Sequence, residues 1–83
     1  MTTLPYQTFA AEVGRVLGMS RDELPPSLDL YEGLGIDSLG LITIGDHLEK
    51  AFSVTLPAAD VVTCRRLGEF HELVARLVRE EGE

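Results

Sequence analysis

The chain has 83 residues, with 7 Lys and Arg against 14 Asp and Glu, a formal net charge of −7 and a single cysteine. That length holds one domain, near the lower limit at which an apolar core supports a fold without staples, and one cysteine excludes a disulfide framework or a cysteine-rich zinc site. The negative charge argues against nucleic acid and anionic membranes as partners, no apolar run approaches a membrane span, and the polar start Met1-Thr2-Thr3-Leu4-Pro5-Tyr6 lacks the regions of a signal peptide.

The expectation is therefore a cytoplasmic, monomeric single domain over residues 1–83, with its core over about 5–79 and a frayed tail at 80–83. Tyr6, Phe9, Val13 and Leu17 recur at helical steps and predict a first helix over about 5–17. Pro5 suits its first turn and Gly18 its end, with Glu12 and Arg15 on the wet side. Residues 18–37 carry Gly18, Pro25, Pro26, Gly33 and Gly35, too many breakers for a long helix. Ser20-Arg21-Asp22-Glu23 has the capping-box pattern for one short turn. Leu24, Leu28, Leu30, Tyr31 and Leu34 suggest a loop pinned to the core.

Leu41, Ile44, Leu48 and Phe52 mark a second helix over about 38–52, with Asp37 placed as its N-cap. Gly40 and Gly45 weaken it and suggest close packing or a close approach by something else. Pro57 then opens a short third helix over Ala58 to Val62. The last segment places Leu67, Phe70, Leu73, Val74 and Leu77 on one face, with Glu69, Glu72, Arg76 and Arg79 outside. No strand alternation occurs. The predicted fold is all-α, a small four-helix bundle with a long first loop and a short third helix.

Charge is unevenly placed. Residues 22–60 hold eight acids and only Lys50, so the whole imbalance sits in the middle of the chain, where a charge-guided partner should dock. Catalysis is poorly supported. His47 lies nine residues after Ser38, about half a turn away and well over 10 Å along a helix axis, so the two cannot pair. His47 and His71 read as ordinary surface or half-buried side chains. Cys64 reads as a small core residue, the lesser reading being a thiol activated by Arg65 and Arg66. Two histidines 24 residues apart and one cysteine match no metal-ligand spacing. Gly33-Leu34-Gly35 lacks the Lys-Ser/Thr of a phosphate loop. Ser38, at the junction of a Gly-rich loop and a helix, is reachable but has no base. Such a serine suits a modification acceptor whose base comes from another enzyme.

Leu34-Gly35-Ile36-Asp37-Ser38-Leu39 resembles the Leu-Gly-x-Asp-Ser-Leu signature of acyl carrier proteins. Leu28-Asp29-Leu30, Phe52, Leu56-Pro57, the short third helix and the amphipathic fourth also fall where that family has them. The resemblance implies that a phosphopantetheinyl transferase moves 4′-phosphopantetheine from coenzyme A to Ser38, using its own metal and base. The arm's thiol then holds an acyl group as a thioester for loading enzymes, synthases or transferases, with no catalysis by the carrier itself. Asp37 would cap the second helix and assist transferase recognition, and Leu39 would be a partner contact.

Helical geometry also places Leu39, Ile42, Thr43, Asp46 and Glu49 on or beside the outer face as a partner surface, although Leu39 or Ile42 can instead pack under the preceding loop. Thr43, Lys50, Ala58 and Ala59 dilute the acidity usual in the fatty-acid type, and Arg65 and Arg66 add positive charge. These departures favour polyketide or mixed natural-product (antibiotic) biosynthesis. Ile36 and Asp37 look more like acyl than peptidyl carriers. An aminoacyl or peptidyl carrier, and a helical interaction module without the prosthetic group, are the alternatives. The ends of the sequence suggest a freestanding protein, and an excised domain would look the same.

Overall fold

The computed structural model describes residues 3–81. Four helices follow one another: α1 (Tyr6–Leu17), α2 (Ser38–Phe52), α3 (Ala58–Val62) and α4 (Leu67–Glu81), with a short 3₁₀ turn at Arg21–Glu23. Pro5 precedes α1 in extended conformation, and Gly18 ends it at φ 71° while Met19 N–H returns to the Gly14 carbonyl at 3.0 Å. The 3₁₀ turn carries the expected capping box: Ser20 Oγ accepts from Asp22 N–H at 3.3 Å and Glu23 Oε2 from Ser20 N–H at 2.9 Å.

Phe9, Val13, Leu24, Leu30, Leu41, Ile44, Leu48, Leu67, Phe70 and Val74 form one buried cluster drawn from α1, α2, α4 and the long loop. Phe9 and Phe70 meet edge to face at its centre, 5.7 Å between ring centroids. No polar or charged residue is buried among the described residues.

The long loop is held by backbone pairing as well as by its leucines. Leu30 N–H donates to Arg65 O at 2.7 Å, Leu67 N–H to Leu28 O at 3.0 Å and Gly68 N–H to Pro26 O at 2.8 Å. Residues 26–30 are thereby zipped to the α3–α4 junction, which satisfies backbone groups that would otherwise be orphaned. Among the described residues, extended pairing amounts to one isolated bridge, Asp29 with Arg66.

Two expectations are corrected. The buried face of α4 comprises Leu67, Phe70, Val74, Ala75 and Val78, while Leu73 and Leu77 are half-buried at its rim. Glu12 is half-buried rather than wet, because it faces His47 across the α1–α2 contact. Of the tail, Glu80 and Glu81 continue α4, and Glu81 Oε1 accepts Thr55 N–H at 3.2 Å. Residues 82–83, with Met1 and Thr2 of the polar start, lie outside the described residues.

Candidate functional site

The start of α2 is built by its neighbours. Gly35 turns the loop at φ 69°, and Asp37 follows in extended backbone. Asp37 Oδ1 accepts the Gly40 N–H at 2.8 Å, and Asp37 O accepts the first helical bond, from Leu41 N–H at 3.0 Å. Because Asp37 supplies the cap, the Ser38 side chain is left out of it. Ser38 is exposed in the first turn of a 15-residue helix. A helix start favours negative charge through its partial positive end, so an exposed hydroxyl there fits a phosphate-linked attachment.

Leu39, next to it, is 70% exposed and is the one large apolar residue exposed among the described residues. Thr43 and Asp46 are exposed on the same side, and Thr43 Oγ1 donates to Leu39 O at 3.1 Å. Ile42 is half-buried. Glu49 departs from the expected outer face. It is half-buried, and its Oε2 accepts Leu56 N–H at 2.6 Å, tying the α2–α3 connection back onto α2. A surface hollow of about 600 Å³ lies away from this helix start, along α4, beside Glu69, Glu72, Arg76 and Arg79.

The remaining reactive side chains serve the fold. His47 Nε2 lies 2.9 Å from Glu12 Oε1, and Arg15 Nε is 3.6 Å from Glu12 Oε2. His71 Nε2 donates to Leu4 O at 2.8 Å, with its ring edge-on to Tyr6. Since a carboxylate and a carbonyl only accept, both Nε2 atoms carry protons.

Cys64 is 7% exposed, its Sγ 3.6 Å from Asp60 O. Burial pushes its thiol up to about 11, with Glu69 and Asp60 adding to the effect, so Arg65 and Arg66 do not activate it. Their backbone N–H groups both go to Glu69 Oε1, at 2.8 and 3.3 Å. No group of His, Cys, Asp and Glu able to hold a metal occurs among the described residues. Like the Glu49 contact, another polar contact escaped the sequence pattern. Tyr31, read as an apolar anchor, donates its hydroxyl to Val62 O at 2.6 Å; the one signal was a tyrosine among leucines.

The sequence matches the family model described as "Phosphopantetheine attachment site" over residues 7–74. An acyl carrier protein of Syntrophobacter fumaroxidans is 27% identical over 64 residues, covering 77% of this chain and 79% of that protein. The meromycolate extension acyl carrier proteins of Mycobacterium leprae and Mycobacterium tuberculosis are 27% identical over 71 residues, covering 86% of this chain and 62% of theirs. The chain thus spans about three fifths of those mycobacterial proteins. Among solved structures, the solution structure of a 3,5-dioxohexyl ACP from the actinorhodin polyketide synthase of Streptomyces coelicolor superposes with a TM-score of 0.75, covering 95% of each chain at 24% identity. That likeness is one of fold.

Proposed function

Because the chain belongs to the phosphopantetheine-bearing acyl carrier protein family, we propose that it ferries an acyl intermediate between enzymes of a polyketide or mixed natural-product pathway, from an arm attached at Ser38. The observation that carries this reading is the exposed Ser38 side chain at an α2 start already capped by Asp37.

The family's prosthetic group is 4′-phosphopantetheine, which when bound supplies a terminal thiol for holding an acyl group. Ser38 offers the hydroxyl oxygen for its attachment. The base that removes the serine proton comes from the transferase, since the histidines of this chain are engaged with Glu12 and Leu4. Asp37 fixes the first turn, so that Ser38 is presented in one orientation. Leu39, Thr43 and Asp46 form the partner surface, with Ile42 at its edge and Glu49 withdrawn from it. Tethering raises the effective concentration of cargo at each partner. The carrier contributes no catalysis of its own.

We place this single domain in the cytoplasm as a monomer; among the described residues no helix is long and apolar enough to cross a membrane. The dilution of acidity along α2 and α3 by Thr43, Lys50, Ala58 and Ala59 supports the natural-product reading. The names of the mycobacterial relatives favour a second one, carriage of long fatty acyl chains.

Intact mass after incubation with coenzyme A, magnesium and a broad-specificity transferase should show one phosphopantetheine adduct, absent in Ser38→Ala. An unmodified wild-type protein would overturn the carrier reading. The mass of the group loaded in the native producer separates the pathways: an oxygenated β-keto chain fits a polyketide and a saturated chain the second reading.

A further inference from the structure

We propose that Tyr31 is a positioning residue that latches α3: its hydroxyl ties the C-terminal end of α3 to the segment presenting Ser38, and α3 swings open as a flap when that tie is released.

Helix α3 packs against α2 and has few fastenings of its own. It has five residues, no side-chain cap at Pro57, and one buried residue, Val61; Ala58, Ala59 and Asp60 are exposed. A helix this short has no stability of its own. Val61 sits opposite Gly45 of α2, where even an added Cβ would stand 3.6 Å from Val61 and 3.9 Å from Leu56, so the seam is not tightly filled.

Two side-chain hydrogen bonds supplement this contact. Glu49 Oε2 holds Leu56 N–H just before α3, and Tyr31 Oη holds Val62 O at its end, each at 2.6 Å. Glu49 ties α3 to its own neighbour α2. Tyr31 reaches it from the loop, six residues ahead of Asp37.

Tyr31 is well placed to act as a strut. Its N–H donates to Asp29 Oδ1 at 2.9 Å, and the preceding Leu30 N–H is bonded to Arg65 O. The hydroxyl thus reaches Val62 from an anchored backbone, and a docking partner that turns the Tyr31 side chain aside breaks the tie without moving the loop. Release of α3 is thereby coupled to contact at the segment leading to Ser38.

Cys64 provides the reporter. It directly follows Thr63 at the end of α3, is buried, and is the single thiol of the unmodified protein. A thiol this buried reacts only through opening. Native-state labelling of the unmodified protein with an aromatic disulfide reagent should run about fivefold to tenfold faster in Tyr31→Phe, the effect of one net hydrogen bond. Tyr6→Phe is the control, because Tyr6 Oη makes the same kind of bond to Leu24 O at 2.7 Å, away from α3. An unchanged rate in Tyr31→Phe, or an equal rise in both variants, would overturn the latch. Should Tyr31→Phe not fold, hydrogen exchange in the wild type decides: the Val61 and Cys64 amides should exchange well before that of Phe70 in α4, and equal protection would sink the proposal.

Discussion

At the residue scale, Asp37 and Ser38 divide two tasks that one helix-start serine often combines. Asp37 takes the cap, so Ser38 is free of structural duty. Asp37→Ala should cost about 1 kcal/mol, or roughly 4–8 °C in thermal midpoint for a domain of this size. Ser38→Ala should stay within about 0.5 kcal/mol of wild type while abolishing the adduct. Circular dichroism melts read alongside intact mass separate the two effects; a large stability loss in Ser38→Ala would place the serine in the cap after all. Asp46 and Glu49 offer a second contrast, since both were expected on the partner face and only Asp46 is exposed. Asp46→Lys should leave the midpoint unchanged and slow turnover by partners. Glu49→Lys should lower the midpoint, because the Leu56 N–H loses its acceptor at a buried residue, a loss of about 1–3 kcal/mol. Equal melting of both variants with the wild type would return Glu49 to the docking surface.

At the element scale, the glycines show which helices and loops are tightly joined. A Cβ on Gly45 would meet Val61 and Leu56 at ordinary contact distance. Gly45→Ala should therefore stabilise α2 by up to about 1 kcal/mol through helix propensity. A Cβ on Gly33 would stand 2.5 Å from Asp29 O and 2.8 Å from Leu28 Cδ1, so Gly33→Ala must displace the loop backbone and should be clearly destabilising. Urea midpoints of the two variants should move in opposite directions; a loss in both would mean that the α2–α3 seam is already full. These contacts also mark the reach of sequence reading. The bounds of α2 and α3 were legible because Asp37 and Pro57 punctuate the chain just before them. The zipper between residues 26–30 and the α3–α4 junction was not, because its donors and acceptors are backbone groups more than thirty residues apart, which leave no side-chain pattern. On α4, five apolar positions fixed the stripe only to within one step, and packing chose Val78 and Ala75 over Leu73 and Leu77. Within the site, the motif singled out Ser38 and Leu39, and the structure shows both exposed at the start of α2. Glu49 and Tyr31 escaped because a helical wheel assigns a direction but does not show a long side chain folding back onto a neighbouring backbone.

At the scale of the whole molecule, the net charge of −7 lies over the loop, α2 and α3, while four groups of shifted proton affinity, Asp29 in that loop and Tyr6, Cys64 and Glu69 outside it, shape the response to pH. Asp29 and Glu69 flank the loop–α4 zipper. Hydrogen bonds from the Glu32 and Tyr31 N–H groups, helped by Arg65 and Arg66, hold the Asp29 carboxyl below its usual range; the Arg65 and Arg66 N–H groups do the same for Glu69. In acid the unfolded chain binds their protons first, so the stability they contribute above the ordinary carboxylate range is lost as pH falls through their lowered values. Burial acts in the other direction on Cys64, raised from 9.0 to about 11, and on Tyr6, raised from 10.0 to about 12. Here the folded protein retains protons that the unfolded chain releases. Stability is unaffected below about pH 9 and declines as pH climbs toward 11 and beyond. Urea midpoints taken across the pH range should therefore show a plateau around neutrality with a decline on each side. Asp29→Asn retains a side-chain carbonyl to accept both N–H groups and should flatten the acid decline, whereas Cys64→Ala should flatten the alkaline one and leave the acid side unaltered. An alkaline decline of full slope in Cys64→Ala would assign that limb to Tyr6, whose ionisation also removes the proton it donates to Leu24 O.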